Sequence, residues 1–157
     1  MSTRPTFERF DADWARKAME RSPSAKGIDG YLGIRLEAFE PGRLVASFPV
    51  TDEIVTMIGN IHGGCVTALV DHVLGVVMYP VMPPKSWAAT TEFKVNLVAP
   101  VSSGVVRAEA EIVSLSARLA VVRVEVTNTF TKPDATAETT RLVALAQGTC
   151  TIVAPKG

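Results

Sequence analysis

Apolar residues recur along this chain with two different periods, and each change of period marks an element. Over residues 6–20, Phe7, Phe10, Trp14 and Ala18 follow at steps of three, four and four, which predicts an amphipathic helix. The stretch SPSAKGIDG then breaks it. From Tyr31 the period becomes two: Leu32, Ile34, Leu36 and Ala38 alternate with Gly33, Arg35 and Glu37, predicting a strand. EPGR turns the chain, and Leu44, Ala46, Phe48 and Val50 alternate in a second strand, completing a hairpin. Residues 52–61 read as a loop, and 63–79 as a helix that is apolar on nearly every side. Four further strand-like runs follow, at 88–98, 104–115, 119–130 and 140–153. Val106, Ala108, Ala110 and Ile112 share one face of the second of these runs, and Ala120, Val122, Val124 and Val126 one face of the third. Leu142, Ala144, Ala146, Cys150 and Ile152 share a face of the last.

A helix apolar all round cannot lie at a surface. Sustained alternation in the strands means a sheet with one covered face. An antiparallel sheet of about six strands curling around the central helix satisfies both, giving an α+β architecture with an additional N-terminal helix. The natural division is a helical extension over residues 1–27 and a main domain over 28–157. Composition changes this picture little: 47% apolar and 20% charged residues are ordinary for a globular chain. The 16 basic and 16 acidic residues cancel, so no polyanion-binding surface is indicated and nucleic acid is not an expected partner. Cys65 and Cys150 are unclustered, which fits a reducing compartment. The charged start MSTRPTFERFDADWARKAMERS has no apolar signal-peptide core, and the central apolar run is interrupted by Thr67, Asp71 and His72 and ends at prolines. The expectation is a cytoplasmic protein with no membrane association.

The chemistry concentrates at GNIHGGCVTALVDHVLGVV, Gly59 to Val77. Gly63 and Gly64 lack Cβ atoms, so their amides can approach a ligand closely. A helix N-terminus adds unpaired N–H donors and about half a positive charge. Together these suit a developing oxyanion or a phosphate; the alternative is that the glycines only make a sharp turn into the helix. Gly64, Thr67, Asp71 and Gly75 are spaced three or four apart and share one helix face. In apolar surroundings, desolvation disfavours the charged form of Asp71. Such a carboxylate is either a structural hydrogen-bonding group or a general base or nucleophile.

Gly63 and Asp71 are eight residues apart, about 12 Å along a helix axis. A catalytic base and an oxyanion donor must both come within about 3 Å of one reacting centre. One helix cannot place both there. A two-fold partner with its helix alongside, antiparallel, would set Asp71 of one subunit against Gly63 of the other in two equivalent sites. His62 with Cys65 could form a thiolate pair, but Cys65 leads straight into core residues and reads as an inert thiol. His62, Asp71 and His72 are too widely spaced for a metal site. His72 points about 100° away from Asp71, toward a packing or interface role. No GxSxG, GxGxxG or GxxxxGK[ST] occurs.

GNIHGGCVTALVDHVLGVV, followed by TTEFKVNLVAPV and SARLAVVRVEVTN, resembles the hotdog-fold acyl-CoA thioesterases of the phenylacetate-degradation type, over roughly residues 28–154. The resemblance implies a hotdog fold and hydrolysis of an acyl-CoA or aryl-CoA thioester at a dimer interface, often within a tetramer. No cofactor is implied, since coenzyme A is part of the substrate. By position, Asp71 matches the family's catalytic carboxylate and Gly63 the residue whose amide polarises the thioester carbonyl. His62 would orient the loop, and Thr90 falls where a Ser or Thr often positions the nucleophilic water. Arg118, in SARLAV, sits where basic residues commonly meet the CoA phosphates, and a cation suits that contact; otherwise it is a solvated turn arginine. The departure is at Thr56, where the family places an Asn six residues before the histidine, while Gly59 is kept and Asn60 lies nearby out of register. Thr56 could offer a hydroxyl to the thioester or water, or Asn60 could substitute. A non-catalytic acyl-CoA or small-ligand binder and an enoyl-CoA hydratase are the competing readings. The acyl pocket is expected among Met78, Tyr79, Met82 and Trp87.

Overall fold

A computed structural model describes residues 5–155; residues 1–4, where the charged N-terminal stretch begins, and residues 156–157 lie outside it. Three helices and six strands follow in the order α1 (Ala12–Arg21), α2 (Gly27–Leu32), β1 (Arg35–Glu40), β2 (Arg43–Pro49), α3 (Gly63–Val76), β3 (Trp87–Leu97), β4 (Val105–Leu115), β5 (Leu119–Thr131) and β6 (Glu138–Val153). The strands form one antiparallel sheet in the order β1-β2-β4-β5-β6-β3, which leaves β1 and β3 as its edges. The sheet curls around α3, as the alternation predicts.

Packing explains why α3 can be so apolar. Its Val66, Leu69, Val70, Val73 and Leu74 are buried against the inward residues of the strands. Many of those strand residues are small, with Ala46, Ala108, Ala110, Ala120, Ala144 and Ala146 all in the core. Small side chains let the helix come close, and each buried Leu or Val on it contributes about 1.5–3 kcal/mol. Gly148 on β6 takes this furthest: a Cβ there would lie 2.6 Å from the Phe93 Cβ and 3.1 Å from Leu74 Cδ1.

Four sequence readings are corrected. The first helix starts at Ala12 and not near residue 6, because Asp11 caps it by accepting the Trp14 amide at 2.9 Å while its own N–H donates to the Pro80 carbonyl. Phe7 and Phe10 instead run ahead of the helix as packing residues, Phe7 lying over Gly42. Tyr31 and Leu32 close α2 and do not open a strand; Gly33, at φ 70°, ends that helix, and β1 begins at Arg35. The central helix stops at Val76, and tighter turns carry the chain through Met82. On β6, Leu142 is exposed and Val143 is buried, since a register shift opposite Val126 and Thr127 exchanges the faces.

The expected acyl pocket at 78–87 is also absent in that form. Met78 and Met82 are fully core, and Tyr79 stacks on Trp14 with ring centroids 5.1 Å apart. Trp87 alone is left open, half-exposed at the start of β3. Among the described residues, no helix is long and apolar enough to cross a membrane.

Candidate active site

The loop before α3 is a tight device. Thr56 donates both its amide (2.8 Å) and its hydroxyl (2.7 Å) to the Asn60 carbonyl, and Gly59, at φ 81°, donates back to the Thr56 carbonyl. Only a residue tolerant of positive φ closes this turn without strain. Ile61 then donates to the Val101 carbonyl, tying the loop to the chain beyond β3. The Thr56 hydroxyl proton is therefore committed, and only its lone pairs remain for another group.

His62 is the N-cap of α3. It has extended backbone (φ −65°, ψ 138°), and its Nδ1 accepts the Gly64 amide at 2.9 Å. A neutral imidazole accepting at Nδ1 carries its proton on Nε2. Cys65 donates its amide to the His62 carbonyl. Of the two glycine amides singled out from the sequence, Gly64's is thus consumed by the cap. The Gly63 N–H has no acceptor among the described residues. Gly63 borders a cleft of about 280 Å³ that also takes in Asn60, Val66 and Leu97. The Asn60 side-chain amide makes no hydrogen bond among the described residues, so it and the Gly63 amide are two donors of this cleft left without an acceptor. A Cβ on Gly63 would come within 2.7 Å of Leu97 Cδ1, and one on Gly64 within 2.8 Å of the His62 Nδ1. Close approach and capping, respectively, explain the two glycines.

Asp71 lies on the stripe with Gly64, Thr67 and Gly75. In the single chain Asp71 is exposed, and nothing stands within 4 Å of a Cβ built on Gly75. The physical reason is that no element of its own chain covers this side of α3, which lies beside the unpaired edge strand β3. Thr90 belongs to the same neighbourhood. It faces Cys150 across the β3–β6 ladder, just before the bulge at Thr91, and Cys150 Sγ reaches the Leu74 carbonyl at 3.3 Å. Burial pushes the Cys150 thiol up; the adjoining Thr90 hydroxyl opposes the rise, and the Asp71 and Glu92 carboxylates add to it.

The site residues therefore fall into groups. His62, Gly63, Gly64, Asn60 and Thr56 gather at the start of α3, and Asp71 and Thr90 two turns further on. Arg118 lies apart in the β4–β5 turn, exposed and without an ion pair among the described residues, its carbonyl accepting the Ile152 amide. Cys65 is raised by burial, and His62 Nδ1 is spent on Gly64, so no thiolate pair forms. His72 turns toward α2, where Nδ1 meets the Asp29 carboxylate at 3.1 Å. Sequence reasoning missed Asp29, because a helix read as loop and strand gave no reason to bring it to α3. No group of metal-binding side chains occurs among the described residues.

Chemically, a free amide at a helix N-terminus can stabilise an oxyanion, and an exposed carboxylate beside a hydroxyl can handle a water. The family model described as Thioesterase superfamily matches residues 58–131, which include the cap, the helix and Thr90. A 1,4-dihydroxy-2-naphthoyl-CoA hydrolase of Listeria monocytogenes is 25% identical over 130 residues, 83% of this chain and 97% of that protein. A thioesterase family protein from Silicibacter pomeroyi superposes with a TM-score of 0.74 at 23% identity, covering 90% of this chain and 97% of that one. The E. coli PaaI protein from the phenylacetic acid degradation operon gives 0.73 at 17% identity, over 89% and 94%. These structures share the α+β hotdog fold found here.

Proposed function

We propose that this chain, which belongs to the thioesterase superfamily and is a thioester hydrolase, cleaves an acyl-CoA or aryl-CoA ester at sites shared between two subunits. The observation that carries this is the arrangement on α3. An unpaired Gly63 amide and an exposed Asp71 occupy one helix, about 12 Å apart, beside a sheet edge that is free to pair. An isologous dimer would lay a second α3 antiparallel to the first and cover Asp71. The dimer could pair again as a dimer of dimers.

In this reading Asp71 of one subunit takes a proton from a water that Thr90 holds, or attacks the thioester carbonyl itself. On the water route, the water oxygen bonds to the carbonyl carbon, and the oxyanion settles on the partner subunit's helix N-terminus at the Gly63 amide. Collapse breaks the carbon–sulfur bond, and the departing thiolate takes back the proton held by Asp71, giving free acid and CoA. His62 acts by capping α3 so that Gly63 stays unpaired, while Gly64's small size admits that cap. Asn60 offers its amide to the thioester or water. Thr56 holds the loop, and Arg118 meets the CoA phosphates.

One observation favours a second reading, a non-catalytic acyl-CoA binder: the Thr56 hydroxyl, at the position of the family's Asn, has its proton committed to Asn60. Thiol release from a panel of CoA esters separates the two. An enzyme releases thiol with the wild type and not with Asp71→Asn. A binder gains melting temperature with the esters yet releases none from either chain. The mass in solution tests the dimer, and a monomer that turns over CoA esters would overturn the shared site.

A further inference from the structure

A second concavity lies on the other side of α3, under the N-terminal helices. This groove holds about 310 Å³ and is walled by Trp14, Ala18, Ile34, Leu36 and Val76, with His72, Asp29 and Arg21 also in its lining. Trp14 is held in place from outside, stacked on Tyr79 and edge-on to Phe39 at 6.0 Å. Arg9, Arg16, Arg43, Arg107 and Arg123 each meet a carboxylate. Arg21, exposed at the end of α1, has, like Arg118 in the β4–β5 turn, a guanidinium that meets no carboxylate among the described residues. Asp29, the carboxylate of the lining, is already engaged by His72 Nδ1.

From these features we infer a binding site for an amphipathic monocarboxylate, its carboxylate on Arg21 and its apolar body along Trp14, Ile34, Leu36 and Val76. The orientation follows from charge: Asp29 repels a carboxylate and is itself engaged by His72, whereas Arg21 attracts one. A guanidinium fork fits a carboxylate in two parallel hydrogen bonds. Size sets the limit, since the groove is about twice the ~150 Å³ that holds a benzene ring. That is room for a ring with a short chain, or an unbranched acid of roughly ten non-hydrogen atoms. Binding here stands whether or not the chain hydrolyses a thioester, although the acid such a reaction releases is of this class.

Trp14 and Trp87 are the two tryptophans of the chain, so the Trp87→Phe protein reports on Trp14 alone. Titrating it with octanoate or 3-phenylpropanoate should change Trp14 emission saturably, with half-saturation on the order of 0.1–1 mM. Octan-1-ol and octan-1-amine should each bind at least about tenfold more weakly, as should octanoate to the Arg21→Gln variant. Saturating CoA should leave the octanoate titration in place. The site is overturned by an unsaturable response, by octanol or the amine binding as well as the acid, or by an Arg21→Gln curve identical to its parent. Displacement by CoA would overturn it too, by putting the acid in the thioester site.

Discussion

Asp71 and His72 are neighbours in sequence, about 100° apart around α3, and their surroundings are opposite. The His72 side chain is 18% exposed, facing α2 with Asp29 against it. Asp71 stands open beside a free sheet edge. The chain folds two helices over the His72 side and none over the Asp71 side, although the open side carries the carboxylate and, further up, the unpaired amide. Cover lies over a half-buried polar pair, and it is absent on the side where the proposed dimer would supply it. Variants on the open side should therefore lose rate without stability, whereas variants of the core and the covered side should do the reverse.

The largest effects are expected on the open side. Asp71→Asn should lower kcat by about 10²–10⁴-fold, roughly 3–5 kcal/mol of barrier, while the melting temperature stays put. Gly63→Pro deletes the other group, the amide N–H. Proline has no N–H, the first helical position accepts it, and the extended His62 is the conformation a residue before proline adopts. The added Cβ meets the flexible end of Leu97. This variant should fold, and turnover should drop about 10²–10³-fold. Mixing the two dead chains tests the shared site directly. With random pairing, about a quarter of wild-type activity should return, because each mixed dimer holds one intact site of two. A mixture as dead as its parents would place both groups within one chain.

The strands and the central helix were legible because their signals are local. Alternation in 104–115 and 119–130 puts Val106 to Ile112 and Ala120 to Val126 inside, as found. The failures needed tertiary information. Residues 6–20 carry a helical period from Phe7 onward, yet Phe7 and Phe10 are apolar for packing and Asp11 sets the start. Leu32 and Ile34 keep a strand's spacing across a helix end, since both sides of that junction face the same core. In the site, a glycine pair before an apolar helix indicated an amide donor but could not show that His62 takes Gly64's and leaves Gly63's. The sequence set Asp71 against a partner's helix on spacing alone; that its own chain leaves this side uncovered is a property of the sheet order, which the spacing does not carry.

Core changes come next in size. Leu69 is fully buried and faces the sheet, so Leu69→Ala should cost about 2–5 kcal/mol in urea unfolding, with turnover per folded molecule retained. Turnover falling in parallel with stability would mean that the open side depends on the core for its geometry, and the comparison would lose its edge. Between core and site stands the cap. His62→Ala removes the acceptor for the Gly64 amide and should destabilise by about 0.5–2 kcal/mol, whereas His62→Asn, a strong N-cap residue, should restore most of it. Equal melting temperatures for all three proteins would show that the cap contributes nothing.

The smallest effect is expected on the covered side, and it is a slope rather than an offset. Burial pushes His72 below its ordinary value of 6.5, and the Asp29 carboxylate, with a lesser part from Asp71, pulls it back only in part. In mildly acid solution the folded chain therefore holds fewer protons on this imidazole than the unfolded chain does. Stability rises with pH wherever the unfolded state binds more protons. The contribution of His72 is accordingly complete above the unfolded value of 6.5 and is eroded as the pH falls from there toward the lower folded value. His72→Asn keeps a donor for Asp29 but has no proton to take up. Urea midpoints measured from about pH 7.5 down to about 5.5 should fall less steeply for this variant than for the wild type. Parallel slopes would show that His72 titrates alike in the folded and unfolded chains, and that the cover over it excludes less water than its burial implies.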